Sequence, residues 1–170
     1  MLIKYTTVRE VKDPVRGHYT DAGIDLYVPE MNEKFRNDFK SLKQNEKADM
    51  YEHGVIKLAP KTSCLIPSGV KFEIPYSTMG LMLNKSGVAS KKGLLVGAQV
   101  IDTFYSGEVH INLHNVSYDY VSIIGGEKII QMVLVPILIP ELTYVDDDEL
   151  YSSMHGDSYR QEGGFGSTNK

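Results

Sequence analysis

Residues 108–116 read EVHINLHNV. Val109, Ile111 and Leu113 fall on one side of an extended chain, and His110, Asn112 and His114 fall on the other. Alternation with period two is the pattern of a strand with one buried face. A second run, KIIQMVLVPILI at 128–139, is almost unbroken in its apolar residues. It reads as a strand covered on both faces, in part by another copy of the chain. Outward from these two runs, turn signals recur: Asp13-Pro14, Ala22-Gly23, Ala59-Pro60, Pro67-Ser68-Gly69, Ile74-Pro75, Ser86-Gly87, Lys92-Gly93, Ser106-Gly107 and Gly125-Gly126. Short stretches rich in Val, Ile, Leu and Tyr lie between them. Many short strands with frequent turns predict an all-β barrel or sandwich.

One segment departs from this rhythm. Residues 29–54, PEMNEKFRNDFKSLKQNEKADMYEHG, are dense in charge, yet Met31, Phe35, Phe39 and Leu42 are spaced four, four and three apart. That spacing makes one apolar stripe on a helix. The segment reads as a short helical insert followed by a charged loop, a surface decoration or else a surface for a protein partner. From about 151 to 170 the chain is polar and Gly-rich, the composition of a flexible arm. The expected organisation is therefore a β domain over 1–150 and an arm over 151–170.

Composition narrows the chemistry. A chain of 170 residues suits one domain with its own core. The net charge of −4 argues against direct nucleic-acid binding or an anionic membrane surface, so any anion must be held by local positive charge. Arginine occurs four times, at Arg9, Arg16, Arg36 and Arg160. Cys64 is the single cysteine, which excludes an internal disulfide and fits a reducing compartment, the cytoplasm. The opening MLIKYTTVRE has no apolar core of a signal peptide, and no run is long enough to span a membrane.

Several motifs are false leads. Ser68–Lys71 and Ser167–Lys170 both fit S-x-x-K, a pattern too short to carry weight. No Walker A, G-x-G-x-x-G or G-x-S-x-G occurs. His110 and His114 lie about 13 Å apart on a strand, too far to share a metal. VDDDE at 145–149 is a solvated acidic turn.

Five polar, turn-prone stretches remain: DAGIDL at 21–26, NKSGVASKKG at 84–93, GAQVIDTFYSGE at 97–108, GGEKIIQM at 125–132 and YRQEGGFGST at 159–168. Each alone is weak. In this order they resemble the five motifs of the trimeric dUTP pyrophosphatase family, over residues 21 to 169. AGIDL stands as the first motif does, VIDTFYSGE looks like the third, GEKIIQ is similar to the fourth, and RQEGGFGSTN keeps the Arg, the Phe and the Ser-Thr pair of the fifth but loses two of its glycines. Asn84 and Lys85 precede Ser86-Gly87 where the family has a proline and an arginine. Phe104 stands where an acidic residue or glycine is common.

The resemblance implies a distorted β-barrel or jelly roll, a homotrimer with shared sites, and Mg2+-dependent hydrolysis of dUTP to dUMP and pyrophosphate. That reaction limits uracil incorporation into DNA and supplies dUMP for thymidylate synthesis. Asp102 is then the base that orients and deprotonates the attacking water. Tyr105 packs under the deoxyribose. The uracil edge meets backbone from Gly97 to Val100 and Ile101, with the return strand near His110. Lys85, Ser86, Gly87 and Gln131 hold phosphates, and Asp25 touches Mg2+ through water. In the arm, Arg160 reaches the terminal phosphates, Phe165 stacks on uracil, and Ser167 and Thr168 bond phosphate oxygens. A phage or bacterial lineage is suggested by the loosened motifs and the insert, with a host cytoplasm if phage-encoded. Two other readings are a dCTP deaminase of the same fold, which lacks its glutamate here, and a nucleotide-gated regulatory protein acting through 29–54.

Overall fold

A computed structural model describes residues 2–51 and 54–151. Among these the regular elements are strands, apart from two helices and one 3-10 turn. In order they are β1 (Lys4–Thr7), β2 (Ile24–Tyr27), α1 (Glu33–Ser41), a 3-10 turn (Lys43–Asn45), β3 (Ala48–Tyr51), β4 (Val55–Leu58), β5 (Ser63–Pro67), β6 (Val70–Glu73), β7 (Thr78–Asn84), α2 (Ser86–Lys92), β8 (Leu94–Val96), β9 (Val100–Ile101), β10 (His110–Asn115), β11 (Val121–Ile124) and β12 (Lys128–Pro136). They pair into four small sheets, with strand orders β1-β6, β5-β10-β8, β11-β4-β3 and β2-β12-β7-β9. Every pairing is antiparallel. The architecture is all-β and of jelly-roll type, and the described strands do not close into one barrel.

β10 behaves as its pattern predicts, but the apolar run 128–139 is covered on both faces only in its first part. The strand ends at Pro136; Val133, Leu134 and Val135 are half-buried, and Leu138 and Ile139 are exposed. In β10, Ile111, Leu113 and Asn115 are buried while His110 and His114 face out. Asn115 can be buried because its side chain is satisfied: Nδ2 donates to the carbonyls of Leu58, Ala59 and Asp119. In β12, Ile129, Ile130 and Met132 are at most 1 % exposed. The strand lies between β2 and β7, so its polar edges are both paired.

The helix α1 forms where the stripe places it. Asn32 caps it, its side chain accepting the Phe35 N–H at 3.0 Å. Glu33 in the first turn and Lys40 in the last complement the helix dipole. The insert differs from a surface decoration, however. Met31, Phe35 and Phe39 are all buried and belong to the main core. Asn45 stitches it down: Nδ2 donates to the carbonyls of Phe39 and Leu65, and Oδ1 accepts the Leu65 N–H. Nor does the helix run into a plain charged loop, because β3 pairs with β4. Alternation is hidden there, since Asp49 and Lys47 interrupt a run too short to show a period.

Two compact units divide the chain, Met1–Leu138 and Ile139–Lys170. The described part of the second, 139–151, has no strand or helix, only a turn in which the Glu149 N–H donates to the Asp146 carbonyl at 3.0 Å. No helix among the described residues is long and apolar enough to cross a membrane.

Candidate active site

Strand register assembles the first cluster. Gln131 of β12 sits opposite Asp25 of β2, and the neighbouring Ile130 sits opposite Asn84 of β7. Residues from 25, 84–85 and 131 therefore converge at one end of a sheet. Gln131 Nε2 donates to the Asn84 carbonyl at 2.9 Å. Gly23 is glycine for a steric reason: a Cβ there would lie 2.0 Å from Gln131 Oε1.

Asp25 is 5 % exposed, and a buried carboxylate needs partners. It has two. Lys85 Nζ donates to Oδ1, and Lys128 Nζ lies 3.2 Å from Oδ2. The hydrogen bond to Asp25 raises the pKa of Lys128 above its ordinary value. Lys85 precedes α2, and Ser86 and Gly87 open it. Beside them lies a cleft of about 380 Å³ lined by Lys85, Ser86, Gly87, Lys91, Lys92 and Gln131, among others. Glu127 also lines the cleft and pairs with Lys92 at 2.5 Å, and Asp25 pairs with Lys85, so the three lysines outnumber these acidic groups by one. Sequence reasoning misses Lys128, Lys91 and Lys92, because a lysine is informative only when its neighbours in space are known.

The second cluster lies on the stretch from Gly97 to His110. The Gly97 N–H donates to the Asn112 carbonyl and the Ala98 N–H to Asn112 Oδ1, both at 3.0 Å. Past this point the chain leaves β10. Val100 and Ile101 instead pair with Leu81 and Gly80 of β7. Gly97 therefore faces β10, but Val100 and Ile101 do not face the return strand at His110. The Val100 side chain is exposed, whereas that of Ile101 is in the core.

Asp102 opens the turn that follows, its carbonyl accepting the Tyr105 N–H at 3.2 Å, and its carboxylate is exposed. Phe104 holds a φ of 64°, the left-handed region that suits glycine or aspartate better than a phenylalanine. Tyr105 is half-exposed, and its hydroxyl donates to the Glu108 carbonyl at 3.0 Å. Asn112 anchors 97–98, whereas in sequence it reads only as an outward-facing strand residue.

The clusters do not meet within one chain. Asp102 follows Ile101, which pairs with Gly80, whereas Lys85 follows the far end of β7. Six strand residues at about 3.3 Å each put roughly 20 Å between Asp102 and Lys85. Arg160, Phe165, Ser167 and Thr168 lie outside the described residues. As to a metal, both oxygens of Asp25 accept from lysine. No group of three or more His, Cys, Asp or Glu residues suited to an ion occurs among the described residues. Such a donor set suits an ion that arrives on an anionic ligand better than a resident one.

The frame and these two clusters describe an all-β protein with a lysine-lined cleft and a separate turn bearing an exposed carboxylate. The dUTPase family model matches residues 40–169. The deoxyuridine 5'-triphosphate nucleotidohydrolase of Yarrowia lipolytica is 31 % identical over 99 % of this chain and 89 % of its own length. That of Corynebacterium jeikeium is 32 % identical over 94 % and 87 %. The dUTPase of Staphylococcus bacteriophage 80alpha, solved with dUPNHPP, superposes with a TM-score of 0.73 at 26 % identity, covering 98 % of this chain and 97 % of that one. The dUTPase from phage phi11 of S. aureus gives a TM-score of 0.68 at 25 % identity, covering 88 % of this chain and 99 % of that one, and a point mutant of it was solved to describe the coordination of a structural Mg(II) ion. The chain belongs to the dUTPase family.

Proposed function

We infer that this chain hydrolyses dUTP to dUMP and pyrophosphate, in sites shared between copies of the chain in a homotrimer. The observation that carries the shared site is the separation of Asp102 from Lys85. A base and a phosphate cradle roughly 20 Å apart do not act on one α-phosphate within a single chain.

In this reading Asp102 of one copy accepts the proton of the attacking water. Its exposure on a turn lets it reach a neighbouring copy's cleft. Lys85, Ser86, Gly87 and Gln131 of that neighbour hold the triphosphate. The displacement needs positioning and charge neutralisation rather than covalent catalysis. Lys85 contributes a point charge, not the bidentate fork of an arginine, and Asp25 aims it. Mg2+ would be held chiefly by the phosphates, where it neutralises their oxygens, and Asp25 would reach it through water. Tyr105 packs under the deoxyribose and leaves no space for a 2′-hydroxyl. Backbone at 97–100 reads the uracil edge. Arg160, Phe165, Ser167 and Thr168 are assigned to the nucleotide by the resemblance of their motif alone.

Pyrophosphate release from dUTP, dCTP, dTTP and UTP with Mg2+ tests the assignment. Turnover confined to dUTP is expected, and ammonia release from dCTP would point to the deaminase instead. Likeness to phage dUTPase folds fits a host-cytoplasm enzyme. For the insert 29–54, burial of its apolar stripe in the core leaves only its charged face for a partner.

A further inference from the structure

Three charged residues, Arg9, Asp38 and Glu108, meet at the edge of the second cluster. Arg9 Nε donates to Glu108 Oε1 at 2.7 Å and Nη2 donates to Oε2 at 2.9 Å, a bidentate fork. Arg9 Nη1 donates to Asp38 of α1 at 2.5 Å. Glu108 Oε1 also accepts the Gly69 N–H at 2.7 Å. The Arg9 and Glu108 side chains are 13 % and 14 % exposed, so salt and water screen them little.

A mostly buried ion pair is a weak source of net stability, because desolvation offsets much of its Coulomb gain. What a guanidinium fork does supply is geometry, since two parallel bonds fix the carboxylate in one plane. The backbone of the same glutamate supplies the rest. Its carbonyl accepts both the Tyr105 hydroxyl and His110 Nδ1, each at 3.0 Å. A carbonyl only accepts, so Nδ1 of His110 carries the proton. The Tyr105 ring lies so close over Gly107 that a Cβ there would meet its hydroxyl at 2.5 Å.

We propose that Arg9 and Glu108 form a positioning clamp, in which Arg9 holds Glu108, the Glu108 carbonyl sets the rings of Tyr105 and His110, and Asp38 ties the clamp to the inserted helix. The inference rests on Tyr105 being the residue that packs under the deoxyribose. It makes the N-terminal stretch and the insert bear on sugar selection without touching the nucleotide.

The test is the ratio of kcat/KM for dUTP to that for UTP in the full-length chain, with thermal unfolding measured alongside. Wild-type discrimination and its loss in Tyr105→Ala check the role of Tyr105 by itself; if Tyr105→Ala keeps the ratio, that role and the clamp fall together. Arg9→Lys keeps the charge but not the fork, and Glu108→Gln keeps the shape but not the charge. Each is expected to lower the dUTP-to-UTP ratio roughly tenfold. Asp38→Asn, on a part-exposed surface that tolerates it, is expected to lower the ratio about two- to threefold. With Tyr105→Phe in the background, Arg9→Lys should cost less than it does alone. A melting temperature that falls while the ratio stays at the wild-type value in Arg9→Lys and Asp38→Asn would overturn the clamp and leave the assignment of Tyr105 standing.

Discussion

Gly107 shows how one missing side chain shapes the site. The atoms nearest a Cβ there are all at the far end of the Tyr105 ring, which can swing aside, so Gly107→Ala should fold normally. We expect its melting temperature to stay within a few degrees of wild type while kcat/KM for dUTP falls about tenfold or more. Asp102→Asn keeps the turn and removes the proposed base. Single-turnover hydrolysis should collapse by about a hundredfold or more while nucleotide affinity survives, as read by rapid quench and equilibrium binding. At this scale the sequence is informative where chemistry is local. Asp102 and Tyr105 are legible because a turn places them three residues apart. Arg9 and Glu108 are not, because 99 positions separate them and only the fold brings their charges together.

At the scale of elements, the insert is the instructive case. Its stripe of Met31, Phe35 and Phe39 predicts the helix, but amphipathicity alone does not say what the apolar face meets. Here it meets the core. Deleting 29–54 would therefore remove core side chains and β3 along with any partner surface. Asn45→Ala is a gentler probe. It strips the Leu65 N–H and two carbonyls of their partners. The expected loss is about 1–3 kcal/mol in urea unfolding at fixed chain concentration. β10 and β12 are readable because their apolar patterns are long. β9, two residues that pair with β7 just after the chain leaves β10, is not, since the exchange depends on where Asn112 holds the preceding backbone.

For the whole molecule, Cys64 reports on the integrity of the core. Burial pushes its thiol up to about 12 from 9.0. A raised acid pKa means the unfolded chain releases its proton first, so stability holds below about pH 9 and declines as pH rises toward 12. The slope should be at most about 1.4 kcal/mol per pH unit, and Cys64→Ala should remove it. The native thiol should also resist alkylation until the chain unfolds.

The proposed function rests on assembly. In the proposed mechanism Lys85→Ala lacks a phosphate contact and Asp102→Asn lacks the base, so each should be inactive alone. On the proposed shared-site reading, the two chains co-expressed in equal amounts form mixed trimers in which one copy's Asp102 faces its neighbour's Lys85. A site shared between copies then recovers about a quarter of wild-type dUTP turnover, one half for each intact residue. A mixed preparation no more active than its two parents would contradict a shared site.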